Sequence, residues 1–135
     1  MSADHAVQTA IRARLVATGA VTALVPASSI LDRNARPAPD PSIVIGEGQS
    51  VDEGRIDRAV QRVFATLHVW KKEAGLAGVK AIAGAIRAAI GAARLDVAGH
   101  HCGDAYVSSA RFLRDPDGET AHGIVTVECL VSEVT

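Results

Sequence analysis

Val7, Ala10, Ile11 and Leu15 recur at steps of three and four residues, with Gln8 and Arg12 between them, which predicts a helix with one apolar face. Ser2 or Asp4 is placed to cap it and Gly19 to close it. A helical turn over Val21 to Val25 must end at Pro26, because the proline ring disfavours helical geometry in the residue before it. Ser29 to Asp32 reads as a brief extended piece. Pro37, Pro39 and Pro41 make the following segment a stiff, extended connector. It leads into Ser42-Ile43-Val44-Ile45-Gly46, a short buried strand. From Gly46 to about Arg58 the chain turns polar and glycine-rich, predicting a mobile loop or a protruding hairpin.

Val63, Ala65, Leu67 and Val69 then alternate with Phe64, Thr66, His68 and Trp70, the two-residue period of a long strand with one aliphatic and one mixed face. Leu76, Val79, Ile82, Ile86 and Ile90 form the stripe of a second helix that Gly91 ends. Its remaining positions are mostly alanine and glycine, which lets a neighbouring layer approach closely. Three more strands are expected, at about Arg94 to Ala98, Ala105 to Arg114 and Thr120 to Val131. Asp115-Pro116-Asp117-Gly118 joins the last two as a tight turn, with proline pre-set at the second position and glycine free for positive φ at the fourth. Val125, Val127, Cys129 and Val131 point to the core side of the last strand, and Ile124, Thr126, Glu128 and Leu130 away from it.

This order predicts an α+β fold, a mostly antiparallel β-sheet covered by two main α-helices in a single domain spanning residues 1–135. Two helices cannot cover both faces of such a sheet. The mixed face carrying Phe64, His68, Trp70, Tyr106 and Phe112 is therefore a candidate for burial against another chain, with Arg111 and Arg114 placed to reach a partner's carboxylates.

Composition narrows the function. At 135 residues there is one core, and folding removes roughly two-thirds of the chain's surface from water. Fourteen Lys and Arg against fifteen Asp and Glu leave a net charge of −1, which disfavours tight binding to nucleic acid. Four aromatic residues are too few and too scattered for a base-stacking platform. Two cysteines make no disulfide framework and no secretory leader precedes the first polar residues, which predicts a reducing cytoplasmic setting. Apolar runs fall far short of the ~18 residues a membrane span needs, so no membrane partner is expected.

Catalytic and metal chemistry find little support. His100-His101-Cys102 holds zinc-type ligands, but a tetrahedral site wants about four at compatible spacing and no second Cys/His pair exists; a polar turn between strands explains the string. Ser108, Ser109 and Cys129 lie within strand patterns rather than at an exposed elbow, so no nucleophile stands out. Gly46 and Gly48 lack the Gly-Lys-Ser/Thr ending of a phosphate loop. The sequence thus predicts no enzyme, no cofactor and an assembly role.

Several strings then carry a resemblance. They are Ala10-Ile11-Arg12-Ala13-Arg14-Leu15, Ile30-Leu31-Asp32-Arg33 before the prolines, Ser42-Ile43-Val44-Ile45-Gly46-Glu47 and Leu67-His68-Val69-Trp70. Lys80-Ala81-Ile82 follows, and then Arg111-Phe112-Leu113-Arg114-Asp115-Pro116-Asp117-Gly118 leading to Thr120-Ala121-His122-Gly123. In order and spacing the chain resembles the tail-terminator, or head-to-tail joining, family of long-tailed bacteriophages and phage-like gene transfer agents, over nearly its whole length. Ser42 departs from the family pattern, which often has an aromatic after the proline. The resemblance implies a homohexamer ring on the head-proximal end of the tail tube that stops tube polymerisation and docks the head connector or stopper protein. DNA would pass through its bore without specific binding. It also implies assembly in the host cytoplasm and a final place at the head-tail junction. On this reading Glu47, Asp52, Glu53, Arg55, Asp57 and Arg58 are the candidates for a loop facing tube or lumen. The alternatives are another neck component such as a stopper, or a small metal- or ligand-binding domain acting through His100, His101 and Cys102.

Overall fold

The Ser2 hydroxyl accepts a hydrogen bond from the His5 backbone N–H and so starts the first helix, α1 (Ala3–Ala17). The chain is described by a computed structural model over residues 1–54 and 56–134. Val7, Ala10, Ile11 and Leu15 are buried along α1, as their spacing requires. The helix stops two residues before Gly19, where Thr18 turns to an extended conformation, and Gly19 instead opens a one-turn helix, α2 (Gly19–Thr22). A 3-10 turn at Ala27–Ser29 then delivers the two-residue strand β1 (Ile30–Leu31).

Strand β2 (Ser42–Asp52) runs six residues beyond the expected end at Gly46. Its pairing with β3 (Val60–Lys72) shifts between Ile45 and Gly48, so Gly46 and Glu47 form a bulge inside a continuous hairpin. The glycines there mark close approach rather than a loop. A Cβ on Gly46 would lie 2.9 Å from His68 Cδ2, and one on Gly48 would lie 2.8 Å from Asp4 Oδ1 on α1. Only residues 53–59 connect the two strands.

The Glu73 carboxylate starts α3 (Ala77–Gly91), accepting from the backbone N–H groups of Gly78 (2.9 Å) and Val79 (3.0 Å) where the N-cap residue Leu76 offers no side-chain acceptor. Val79, Ile82, Ile86 and Ile90 are buried on one side of the helix. Past its end, Leu95 and Val97 are buried, but the strand expected at 94–98 is absent. Their alternation anchors an irregular segment to the core. Strand β4 (His100–Arg114) is the strand expected from Ala105, starting five residues earlier; β5 (Thr120–Glu133) follows the turn at Asp115–Gly118. In that turn Gly118 takes φ +76°, and Asp117 accepts from the backbone N–H of Glu119 and Thr120 and from the Thr120 hydroxyl.

The five strands lie in the order β1-β2-β3-β5-β4; β1 is parallel to β2 and every other pair is antiparallel. This is the expected α+β architecture. Helices α1 and α3 share one face of the sheet, where Val63, Leu67 and Val69 of β3 and Val125, Val127 and Cys129 of β5 meet them in one core. Arg14 of α1 locks the two helices together. Its guanidinium donates to the carbonyl oxygens of Ala89 (2.8 Å), in the last turn of α3, and of Ala93 (3.0 Å) and Arg94 (2.9 Å), just past its end. Among the described residues no helix packs on the other face of the sheet.

Candidate assembly surface

Strand register decides which side chains share the uncovered face. One rung runs Val44, His68, Ile124, Arg111 across β2, β3, β5 and β4; the next runs Ser42, Trp70, His122, Leu113. Farther along, Gln49, Phe64, Glu128 and Tyr106 form a rung on the same face. Phe64, His68, Trp70, Tyr106 and Arg111 are thus brought together. Phe112 and Arg114 are not. A bulge between Val107 and Ser109 reverses the inward-outward parity of β4, so Phe112 turns to the helix side, paired with Gly123, with Lys80 Nζ of α3 5.7 Å from its ring centre. Arg114, paired with Ala121, also follows the helix-side parity at the exposed end of the strand.

The face is an amphipathic surface of half-buried aromatic and polar groups rather than bare hydrocarbon. Its centre is a hydrogen-bonded chain. Glu47 Oε1 lies 2.7 Å from His68 Nε2, and His68 Nδ1 lies 2.9 Å from His122 Nε2. An ionised carboxylate only accepts, so His68 Nε2–H donates to it; with His68 neutral, His122 Nε2–H donates to His68 Nδ1. The bond from His68 holds the Glu47 carboxyl below the usual carboxylate range, assisted by the residue's own backbone N–H. Burial, and then the neighbouring His68, hold His122 below the ordinary imidazole value. The His122 ring stacks on the Trp70 indole with centroids 3.7 Å apart and planes 9° from parallel. Nothing local in the sequence announces this cluster, because β3 and β5 meet across the intervening α3 and β4.

Beside the cluster opens a cleft of about 570 Å³, walled by Asp32, Arg33 and Asn34 after β1, by Glu47 on the bulge, and by His68 and Trp70. Ser42, at the start of β2, is fully buried, and its hydroxyl has no hydrogen-bond partner among the described residues. Farther along the face Arg62 bridges Glu53 (2.6 Å) and Glu128 (2.7 Å).

The acidic residues expected on one loop are therefore spread out. Glu47 lies on the bulge, and Asp52 ends β2 with the parity of the helix side. Glu53 is held by Arg62, and Asp57 accepts from the Ala59 backbone N–H in the connecting turn, next to Arg58 with its φ of +55°. Arg55 lies outside the described residues. The connection does present one residue that the sequence reading passed over: Ile56 is 99% exposed. Its signal is a large aliphatic side chain set among charged neighbours.

His100, His101 and Cys102 stand in β4 rather than in a turn, and they do not converge. His100 Nδ1 bonds the Ala98 carbonyl, His101 is exposed, and Cys102 is buried on the helix side. Among the described residues no group of three metal-ligating side chains comes together. Cys102 and Cys129 are both buried free thiols, and the bond to Cys102, aided by burial, pushes the Cys129 thiol up. Both thiols pack in the core on the helix side of the sheet.

Comparison with known proteins extends the geometry. A chain of the structure "Virion of native gene transfer agent (GTA) particle" superposes with a TM-score of 0.86 at 20% identity, covering 97% of this chain and 98% of that one. The structure of the gp17 protein of bacteriophage SPP1 gives a TM-score of 0.64 at 21% identity, over 98% and 91% of the two chains. No curated protein matches the sequence. The family model described as "Tail completion protein gp17" matches residues 9–132, and the chain belongs to that family.

Proposed function

We propose that this protein is a tail terminator. It forms a ring on the head-proximal end of a tail tube, stops the tube's polymerisation, and joins the tail to the head connector while DNA passes through the bore. The observation that carries this reading is the tail-completion family match across residues 9–132. The likeness in fold to a chain of a gene transfer agent virion supports the same setting.

The physical features agree with it. An uncovered sheet face bearing Phe64, His68, Trp70, Tyr106 and Arg111 gives identical copies a surface to share. A net charge of −1 suits a conduit through which a polyanion slides rather than sticks. The tip at residues 53–59, with Glu53, Asp57, Arg58 and the protruding Ile56, is the part that meets the tail tube or faces the lumen, together with Asp52. The function is structural, through association rather than turnover.

The test is particle assembly without this protein. Electron microscopy of lysates should then show filled heads separated from tails, and tubes of uncontrolled length, with both defects repaired by resupplying the chain. Joined particles with tubes of normal length in its absence would overturn the reading.

A further inference from the structure

Two opposite edges of the sheet complement each other at the same height. The rung Val44, His68, Ile124, Arg111 crosses all four long strands on the uncovered face. At its β2 end lies the cleft walled by Asp32, Arg33, Glu47, His68 and Trp70. At its β4 end Arg111 is exposed, without an ion pair among the described residues. Three strand spacings of about 4.8 Å separate the two ends, so Arg111 cannot reach the cleft of its own chain.

A neighbour can supply it. The long strands alternate in direction across the sheet, so β4 runs opposite to β2. A second copy set beside the first in the same orientation brings its β4 antiparallel to the first copy's β2. β1 covers that edge at Ile43 and Val44, the height of the rung itself, so at this level the neighbour's β4 lies beside β1 and Arg111 reaches past it on the uncovered face. Such a contact joins two different surfaces of one chain, so it repeats from copy to copy and closes into a ring when each step is a rotation.

We infer that Arg111 of one copy enters the cleft of a second copy and pairs there with Glu47 beside Trp70, making this contact the joint between neighbouring subunits; the inference rests on the ring reading above. Glu47 is ready for it. His68 bonds Oε1 and the side chain is 69% exposed, so the carboxylate keeps acceptor positions open to a guanidinium N–H. The cleft wall carries two carboxylates, Asp32 and Glu47, against one guanidinium, Arg33, so an incoming cation is favoured. The Trp70 indole offers an aromatic surface of the kind on which a guanidinium stacks. Leu113 and Ile124, half-buried beside Arg111, bring an apolar rim to the same contact.

The experiment compares the full chain with E47R, R111E and the double variant E47R/R111E, each with tail tube protein present, by sedimentation velocity. The wild type should close into one discrete oligomer. Each single reversal should raise the concentration for half-assembly at least about tenfold, because like charges then face each other. The double variant should return it close to the wild-type value. Circular dichroism and thermal melting establish that each variant is folded; should a reversal unfold, E47Q and R111Q take its place and each must weaken assembly. Single variants that assemble like the wild type, or a double variant no better than the worse single one, overturn this contact while leaving the ring reading in place. A wild-type chain that stays solitary beside tube protein overturns both.

Discussion

The imidazoles of His68 and His122 meet across two antiparallel strands, with His68 Nδ1 2.9 Å from His122 Nε2. One ring accepts and the other donates in that bond, and burial together with His68 holds the His122 pKa below its ordinary value of 6.5. Asp115 and Glu47 act in the opposite direction, but they are the smaller influences. Between the folded and unfolded values the unfolded chain binds more protons. This contribution to stability is therefore complete above pH 6.5 and is lost as pH falls through 6.5 toward the folded value. Denaturation midpoints measured from pH 7.5 to 5.0 should fall, and His122→Asn should flatten the slope. An unchanged slope in that variant would remove His122 from the pH response.

Arg14 closes the C-terminal end of α3 from a different helix. Arg14→Ala should cost about 1–3 kcal/mol in chemical denaturation, because three carbonyl oxygens lose a charged donor. Arg14→Lys should recover only part of this, since an ammonium cannot match the guanidinium fork. A cost within experimental error for the alanine variant would show that solvent satisfies those carbonyls equally well.

Ser42 makes the opposite prediction. Its buried hydroxyl has no hydrogen-bond partner among the described residues, and desolvating such a group costs about 1–3 kcal/mol. Ser42→Ala should therefore leave thermal stability unchanged or raise it. A marked fall in the melting temperature would reveal a bond that the hydroxyl makes.

How much of this was legible in the sequence depends on how local the determining interactions are. The periods of α1, α3, β3 and β5 sit in contiguous residues, and their buried faces follow from spacing alone. Glycine misled at Gly46 and Gly48, where it serves the close approach of His68 and Asp4 inside a strand rather than a loop. Leu95 and Val97 alternate like strand residues yet anchor an irregular segment. The bulge near Ser109 has no proline or glycine to mark it, and it turns Phe112 to the helix side and Arg111 to the open face. His68 and Trp70 were visible as strand residues, but their union with His122 and Glu47 is long-range and could not be read from neighbours in the chain.

Ile56 should matter to assembly and not to folding. A 99% exposed aliphatic side chain contributes nothing to the core, so Ile56→Ser should leave the melting temperature within about 0.5 kcal/mol equivalent of the wild type. The same variant should lower the yield of joined particles in a complementation assay. Full joining by Ile56→Ser would take the hairpin tip out of the contact with tube or lumen.

Native mass spectrometry of the chain, alone and with tail tube protein, tests the central claim most directly. A terminator should give one closed oligomer of fixed copy number, formed freely or seated on tube ends. Solitary molecules throughout, at high concentration and with tubes present, would contradict it.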